Sequence, residues 1–292
     1  MRRILVTGRG GQLATGLETA LPAQGFDAIL VGQPEFEFDD PATVAAAFTA
    51  AEPDAVVNCA AWTAVDAAED NEPAAFHANA LGPALVAAHC AALGIPLIQV
   101  STDYVFDGRK GAPYLETDTP NPLSAYGRTK LAGEWAALAA HRQTLVLRTA
   151  WVFAPNGNNF MRTMLRLGAE RPELRIIADQ HGSPTAAPDL ADAIASILAQ
   201  IRQEGWQERH AGVFHATGSG FTTWHGFAEA IFAEAGVQRP TLHPITTSEY
   251  PTKAVRPTDG RLDGTRLEKT FGLRLPSWQD GLRRVLRSQR GD

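Results

Sequence analysis

The sequence predicts an α/β protein in which a doubly wound parallel sheet is followed by a smaller C-terminal domain. Three observations predict it. Short apolar runs alternate with Ala-rich helical segments over the first 150 residues, a glycine-rich turn follows the first run, and the alternation loosens beyond residue 150. Strands that alternate with helices form right-handed βαβ units, which build a parallel sheet with helices on both faces.

The first half contains the clearest elements. The run at 3–7 ends in Thr-Gly and predicts a buried strand, the segment at 41–51 opens with a proline suited to a first helical turn, and the Ala-rich segment at 73–93 ends at Gly94. A Pro/Gly/Asp-rich stretch at 107–122 is too long for a simple connection and predicts a functional loop. In order, strands are expected at 3–7, 27–31, 55–58, 96–101 and 144–149, and helices at 11–21, 41–51, 73–93 and 124–141.

The second half has a looser pattern. Residues 250–266 show no clear period and predict a loop around a site. We expect a dinucleotide-binding domain at 1–150, to which later segments near 174–200 return, and a cap at 151–292. Helices are expected at 158–171, 188–203, 223–235 and 277–288, and strands at 174–178 and 212–215.

Composition excludes several classes of protein. The chain has 292 residues, 45% hydrophobic and 20% charged, which argues against intrinsic disorder. Its net charge of −6 gives no electrostatic reason to bind nucleic acid or an anionic membrane. Two cysteines, Cys59 and Cys90, exclude a disulfide scaffold and fit a reducing compartment. No long uncharged apolar stretch or signal peptide is evident, so we expect a cytoplasmic protein without membrane spans.

The turn after the first predicted strand has the spacing of a dinucleotide site, with Gly8, Gly11 and Ala14 at three-residue intervals. Gly8 permits a tight turn, Gly11 lets the backbone approach a pyrophosphate, and a small third residue lets the helix pack on the strand. The helix N-terminus then offers free N–H groups to the phosphates. Glycine turns also join strands to helices without any ligand, but this position favours a Rossmann-like nucleotide site.

The end of the second predicted strand bears on the choice of cofactor. Val31-Gly32 stands where an acidic residue would bind the ribose 2′-hydroxyl of NAD, so NADPH is expected and NADH is possible. Arg9 is either a partner for a 2′-phosphate or a solvated surface residue. Glu37 is either a partner for the adenine amino group or an ordinary loop carboxylate.

A Tyr and a Lys stand four residues apart, as Tyr126 and Lys130, on one face of a predicted helix. The chain has only four residues of each type, so chance is a poor explanation. A neighbouring ammonium lowers the pKa of a phenol and suits it to acid–base work. Thr102 follows the fourth predicted strand, where its hydroxyl either polarises a carbonyl group or belongs with Asp103 to a simple turn.

These features together resemble the extended short-chain dehydrogenase/reductases, and within them the sugar-nucleotide reductases of dTDP-L-rhamnose synthesis. The resemblance covers nearly the whole chain, and the later motifs are the more specific ones. Besides the glycine turn, the similar stretches are 58–66, 101–108, 122–130, 148–153, 157–160, 179–185 and 222–225.

The resemblance implies a role for each matching residue. Tyr126 donates a proton to the C4 oxygen of a keto sugar, Lys130 tunes Tyr126 and binds the nicotinamide ribose, and Thr102 polarises the carbonyl. Asn79 either orders Lys130 through a water or is a helix-surface residue. Substrate contacts are expected at Thr102, Asp103, Tyr126 and Trp151, the last of which reads as a core residue without the resemblance. The cofactor-binding residues are expected to be Gly8, Gly10, Gly11, Gln12, Leu13, Glu37, Phe38, Ala61, Trp62, Thr63, Tyr126 and Lys130.

One departure from the resemblance concerns metal. Some relatives bind Mg²⁺ through glutamates at a dimer interface, but the matching positions here are Gly16 and Pro188, with Asp189 adjacent. Mg²⁺ needs oxygen ligands, so a magnesium site is doubtful and a monomer or weak homodimer is expected. The histidines His181, His215 and His225 lack the spacing of zinc ligands, and no metal site is predicted.

The resemblance implies hydride transfer from NADPH to C4 of dTDP-4-dehydro-L-rhamnose, with the sugar nucleotide as the partner of the cap. Arg256 and Arg261 are either phosphate ligands or surface charges. Two alternatives stay open: another nucleotide-sugar reductase or epimerase of the same fold, and a non-catalytic regulatory subunit such as those of methionine adenosyltransferase. The intact set of Thr102, Tyr126 and Lys130 counts against the second alternative.

Overall fold

A six-stranded parallel sheet organises the computed structural model, which describes residues 1–236 and 240–290. The strand order is β10-β5-β4-β3-β1-β2, and every neighbouring pair in this sheet is parallel. The six strands are β1 (Arg3–Thr7), β2 (Asp27–Val31), β3 (Ala55–Asn58), β4 (Leu97–Thr102), β5 (Thr144–Thr149) and β10 (Gly212–His215). The predicted fold class is confirmed.

Helices cover both faces of the sheet because successive strand residues point to opposite sides. Ile4 and Val6 belong to the core that holds α1 and α8, whereas Leu5 belongs to the core that holds α2, α5 and α6. The helices of these two layers are α1 (Gln12–Ala23), α2 (Pro41–Ala51), α5 (Gly82–Leu93), α6 (Ala125–Ala140) and α8 (Ala187–Glu204).

The helix expected at 73–93 is not regular, and that prediction was wrong in detail. It begins as α4 (Glu72–Phe76), passes through a π-helical turn at His77–Leu81 and continues as α5. A further short helix, α3 (Val65–Asp70), precedes it. The π turn inserts extra backbone at Asn79, whose carbonyl packs so closely on α6 that a Cβ on Gly133 would lie 1.9 Å from it.

The same run, Glu72–Leu93, is the one described helix that is long and apolar enough to cross a membrane by length and composition. It packs against α6, β3 and β4 as a layer of the fold, and core helices of soluble proteins pass the same test. We therefore do not interpret this helix as a membrane span.

A second apolar core lies in the C-terminal half, under a parallel pair of strands and three helices. Phe153, Leu174, Phe227 and Trp278 are buried there. The pair is β7 (Glu173–Ile177) with β12 (Thr241–Ile245), and the helices are α7 (Phe160–Glu170), α9 (Trp224–Ala235) and α11 (Trp278–Arg290).

Several elements of this half escaped the sequence reading. The chain returns to the main sheet through α8 and β10, whereas β7 stays in the second core. The last two residues of the loop expected at 250–266 belong to a helix, α10 (Thr265–Phe271). The unpredicted elements are β12, α10 (Thr265–Phe271) and the two-residue strands β6 (Val152–Phe153), β8 (His181–Gly182), β9 (Thr185–Ala186) and β11 (Thr222–Thr223). The division near residue 150 stays a prediction.

Candidate active site

The glycine turn after β1 has the geometry of a phosphate cradle. Gly8 and Gly10 have φ angles of +82° and +84°, which favour glycine. A Cβ on Gly8 would lie 2.9 Å from the backbone N of Ala60, so no other residue fits there without a shift. The N–H of Gly11 donates to the Gly8 carbonyl at 3.0 Å, and Gly11 is the N-cap of α1. The first N–H groups of α1 have no partner within the helix and are therefore the groups that would donate to a phosphate.

The other residues expected to bind the cofactor differ in their contacts and in their burial. Gln12 accepts a 2.8 Å hydrogen bond from the Nδ2 of Asn159, which joins the turn to α7. The side chain of Leu13 is buried in the apolar core beside α8, so only its backbone faces the turn. Phe38 is held against Gly82, where a Cβ would lie 2.4 Å from its ring. Glu37 is half-buried beside it.

Arg9 lies beside the end of β2, where the sequence places the ribose of the cofactor. A Cβ on Gly32 would lie 3.0 Å from the Cβ of Arg9, and the Arg9 N–H donates to the Val31 carbonyl at 3.0 Å. Its guanidinium pairs with the exposed carboxylate of Glu35.

The loop after β3 is anchored by Asn79. Its Oδ1 accepts from the Trp62 N–H at 2.8 Å, and its Nδ2 donates to the Trp62 carbonyl and to the Thr129 hydroxyl, both at 3.1 Å. Asn79 is buried, so its interpretation as a helix-surface residue was wrong. Ala61 and Trp62 are half-buried and Thr63 is exposed.

Thr102, Tyr126 and Lys130 come together at the carboxyl end of β4. The Tyr126 phenol lies near the Thr102 hydroxyl. Lys130 donates from Nζ to the carbonyl of Val100 at 2.8 Å. Ser124 caps the N-terminus of α6 by accepting from the Gly127 N–H at 3.1 Å, which fixes where the helix begins and so where Tyr126 lies.

Burial sets the charge states of these groups. Loss of solvent raises the pKa of Tyr126 to about 12, against the smaller opposing effect of the neighbouring Thr102 hydroxyl. Burial also lowers the pKa of Lys130 to about 8, while the charge of Glu134 opposes that change. The expected lowering of the Tyr126 pKa by Lys130 was therefore wrong for the protein without its ligands, because desolvation of the phenolate dominates. A phenol that keeps its proton is suited to donate it.

Asp103 is buried beside the same hydroxyl. Thr102 donates to its Oδ1 at 3.1 Å, and its Oδ2 has no hydrogen-bond partner among the described residues. Loss of solvent raises the pKa of Asp103 to about 7. Gly260 makes room for the carboxyl group, since a Cβ there would lie 2.4 Å from Oδ2. An unsatisfied buried oxygen is costly, which favours a ligand hydroxyl as its partner.

Trp151 has a left-handed backbone, with a φ of +46°. Its indole stacks on Trp224 at 3.5 Å between ring centroids, and a Cβ on Gly182 would lie 2.4 Å from it. The Nε1 of Trp224 donates to the Oε1 of Gln180 at 3.1 Å. Packing thus compensates the backbone strain at Trp151, as is common at ligand sites.

A cavity of about 990 Å³ opens on the far side of this stack, within the C-terminal half. Apolar side chains from α7, β7 and α9 line it together with arginines; among them are Phe160, Met164, Ile176, Trp224, Arg175 and Arg256. Apolar walls with a few convergent cations suit a nucleotide, whose base is flat and whose phosphates are anionic.

The two arginines expected at the phosphates have different surroundings. Arg256 lines the cavity and is held by Asp66 of α3 through hydrogen bonds of 2.7 and 3.1 Å. Arg261 is absent from the described cavity lining; it pairs bidentately with Asp259 and lies over the ring of Phe221. Of these two arginines, only Arg256 lines the cavity.

The sequence predicts no metal ligands at Gly16 and Pro188. In the structure, Gly16 is a packing position, and Asp189, next to Pro188, forms an ion pair. Gly16 lets α1 approach α8, since a Cβ there would lie 3.1 Å from the Cβ of Ala191. Asp189 accepts from Arg284 at 2.6 Å. Within residues 1–236 and 240–290, no group of three or more His, Cys, Asp or Glu side chains is placed to hold a metal ion.

Sequence reasoning missed two groups that border the site. Trp224 lay within a recognised stretch but carried no assigned role. Glu134 follows Lys130 by four residues, as Lys130 follows Tyr126, and this period was a readable signal.

Comparisons with known proteins agree with this geometry. The model of the family described as "RmlD substrate binding domain" matches residues 1–290. The chain is 41% identical over 287 residues to the dTDP-4-dehydrorhamnose reductase of Sinorhizobium fredii, covering 97% of this chain and 96% of that one. It is also 41% identical over 291 residues to the reductase of the same name from Escherichia coli K12, covering 97% and 96%.

Solved structures give the same result. A dTDP-4-dehydrorhamnose reductase from Clostridium acetobutylicum superposes with a TM-score of 0.92 at 36% identity, covering 99% of this chain and 100% of that one. The enzyme of that name from Bacillus anthracis, solved in complex with NADP, superposes with a TM-score of 0.91 at 32% identity and the same coverage.

Proposed function

Because this chain belongs to the RmlD substrate binding domain family, whose relatives include curated dTDP-4-dehydrorhamnose reductases, we infer that it is such a reductase. It reduces the C4 ketone of dTDP-4-dehydro-L-rhamnose to the alcohol of dTDP-L-rhamnose and oxidises NADPH to NADP⁺. The reaction adds one hydride to C4 and one proton to its oxygen.

The residues present fit the cofactor. Gly8 is a position that a Cβ would fill, Gly10 is open, and the N-terminus of α1 faces the same space, as a bound pyrophosphate requires. When bound, the nicotinamide supplies the hydride, and the protein supplies orientation and acid catalysis. Lys130 and the loop at Ala61–Thr63 lie where the ribose and nicotinamide would be held.

Tyr126 acts as the general acid in this proposal. Its pKa of about 12 keeps the phenol protonated at neutral pH, so it holds a proton for the developing C4 alkoxide. Thr102, whose hydroxyl lies near the Tyr126 phenol, orients the same carbonyl oxygen. The ammonium of Lys130 stabilises the phenolate that remains after transfer.

The cap binds the nucleotide end of the substrate in this proposal. The cavity behind Trp224 is wide enough for a nucleoside diphosphate, and Arg256 supplies a cation for its phosphates. Trp151 and Asp103 would contact the sugar ring. We further propose a cytoplasmic enzyme that needs no metal.

One observation carries the assignment: a protonated phenol, a threonine hydroxyl and a buried ammonium meet at the carboxyl end of β4 in a chain of this family. The test is NADPH oxidation, followed by the loss of its absorbance, with a panel of dTDP- and GDP-linked 4-keto sugars. Turnover with dTDP-4-dehydro-L-rhamnose above all others supports the proposal. Preference for another sugar nucleotide indicates a different reductase, and binding without turnover indicates a non-catalytic subunit.

A further inference from the structure

Glu134 completes a line of three functional groups along α6. Tyr126, Lys130 and Glu134 are spaced by four residues, so their side chains lie on one face of the helix, which is turned toward β4 and β5. The Glu134 carboxylate is only 1% exposed. A carboxylate so deeply buried is retained only where other groups satisfy it.

Arg148 and Ser101 satisfy this carboxylate. Arg148 donates from Nε to Oε1 at 2.9 Å and from Nη2 to Oε2 at 2.6 Å, and Ser101 donates from its hydroxyl to Oε1. Ser101 and Arg148 are register partners on β4 and β5. One carboxylate therefore ties the helix that carries Tyr126 to both strands, at the position next to Thr102.

Stability alone is a weak explanation for this arrangement. A buried ion pair gains little over apolar residues of similar volume, because desolvation of both charges offsets their attraction. The cost here is visible, since the Nη1 of Arg148 is buried without a hydrogen-bond partner among the described residues. A pair that is retained at such a cost, one helical turn from Lys130, points to a role in the reaction.

The groups that face Lys130 identify that role. Its Nζ donates to the Val100 carbonyl, the Cys59 thiol approaches from the end of β3, and Tyr126 lies one turn earlier on the same helix. Burial raises the pKa of the Cys59 thiol to about 12, so this thiol is neutral near pH 7. Glu134 is thus the anionic neighbour of Lys130 within the described residues.

We propose that Glu134 is a positioning residue for the reduction: it fixes α6 against β4 and β5 through Arg148 and Ser101, and it is the counter-charge of the Lys130 ammonium. This assignment rests on the proposed function for its relevance to catalysis. The charge coupling between Glu134 and Lys130 is a property of the chain itself and can be measured without any substrate.

The experiment titrates the lysine side chains directly. The chain has only four lysines, so a protein labelled with ¹³C at the lysine ε-carbons gives few NMR signals, and Lys130→Met assigns the relevant one. Glu134→Gln is compared with the unaltered chain and with Ser101→Ala, which removes one hydrogen bond to Glu134 but keeps its charge. Each variant is titrated from pH 6 to pH 11, with NADPH binding measured by fluorescence alongside.

The sign follows from electrostatics. Loss of the anion makes the ammonium less favourable, so we expect Glu134→Gln to lower the titration midpoint of Lys130 by about one unit and Ser101→Ala to leave it nearly unchanged. An unchanged midpoint in folded Glu134→Gln overturns the proposal, whatever the enzyme assays show. Should that variant not fold, Glu134→Gln with Arg148→Met is compared with Arg148→Met alone, so that only the anion differs, and an equal midpoint in these two variants overturns the proposal.

A kinetic readout separates this proposal from the proposed function. In an active reductase, the alkaline limb of kcat/KM shifts to lower pH in Glu134→Gln and keeps its position in Ser101→Ala. A purely structural role would lower thermal stability without moving that limb, and this result counts against the proposal. If the unaltered chain reduces no keto sugar, the proposed function fails while the Lys130 titration still tests the coupling.

Discussion

Trp151 and Trp224 stack face to face, with ring centroids 3.5 Å apart and 9° between the ring planes. Trp224 lines the cavity of the C-terminal half, whereas Trp151 is not among the residues that line it. In the proposed function, Trp151 contacts the sugar ring and Trp224 borders the nucleotide, so the stack would separate the two. Because Trp151 has a strained backbone, its position depends on the side chain that it stacks against.

We expect Trp224→Ala to raise KM for the sugar nucleotide about 3–10-fold, because stacking of an aromatic pair is worth about 0.5–1.5 kcal/mol. The variant should change KM for NADPH little. Trp135→Ala is the matched control, since Trp135 is 61% exposed on α6. Steady-state kinetics measure both effects, and an unchanged substrate KM would show that Trp151 keeps its position unaided.

We expect Tyr126→Phe to reduce kcat by about 10²–10⁴-fold while NADPH still binds, since only the proton donor is lost. Lys130→Met should weaken both cofactor binding and turnover, because Lys130 serves both. Fluorescence titration with NADPH and single-turnover rates separate the two effects. Activity within threefold of the unaltered enzyme would remove Tyr126 from the role of acid.

Arg9 is expected to discriminate between the two nicotinamide cofactors. Arg9→Ala should raise KM for NADPH about 10–100-fold and leave KM for NADH almost unchanged, because a hydrogen bond to a charged group is worth about 1.5–3 kcal/mol. Arg2→Ala is the control, as Arg2 is exposed and paired with Asp27. Equal losses with both cofactors would contradict a contact between Arg9 and the 2′-phosphate.

Asp103 makes the stability of the fold depend on pH. Burial raises its pKa to about 7 in the folded chain, so the unfolded chain releases the proton first as the pH rises from 4 to 7. Folding then loses stability across that window, and the loss levels off above pH 7. Asp103→Asn should therefore raise Tm more at pH 8 than at pH 5. Glu18→Gln, at an exposed carboxylate of α1, is the control. Equal gains at both pH values in Asp103→Asn would contradict the assignment.

We expect EDTA to change neither the activity nor the solution mass. Gly16 is enclosed by α8, and the carboxylate of Asp189 is already paired with Arg284, so Mg²⁺ would have to displace that cation and find further oxygens. Light scattering and the reductase assay, each with and without chelator, provide the test. A dimer that dissociates on chelation would mean that the ligands lie elsewhere.

The sequence was most informative where local rules decide the structure. The strands at 3–7, 27–31, 55–58 and 144–149 match to the residue, because each is a short apolar run between a helix and a turn. The turn at Gly8 followed from the glycine spacing, and the place of Thr102 from the rule that ligands bind at the carboxyl ends of parallel strands. The joint role of Tyr126 and Thr102 followed from the family resemblance.

The elements that escaped have no local signature. Two-residue strands such as Thr185–Ala186 exist only because a distant strand pairs with them, and the π turn at Asn79 depends on the approach of Gly133 from another helix. The Glu134–Arg148 pair joins a helix residue to a strand residue, and the two become neighbours only when α6 packs on the sheet. Tertiary packing decides these features, and a single sequence does not display it.

The path of the chain between the sheet and the second core limits how the cap can move. After β5 the backbone enters the second core, returns as α8 and β10, leaves again for α9 and β12, comes back as α10, and leaves once more for α11. Several covalent connections therefore join the two bodies at different points of their boundary. A lid on one hinge can swing wide, whereas a body that is joined to its neighbour at several points is restricted to smaller movements.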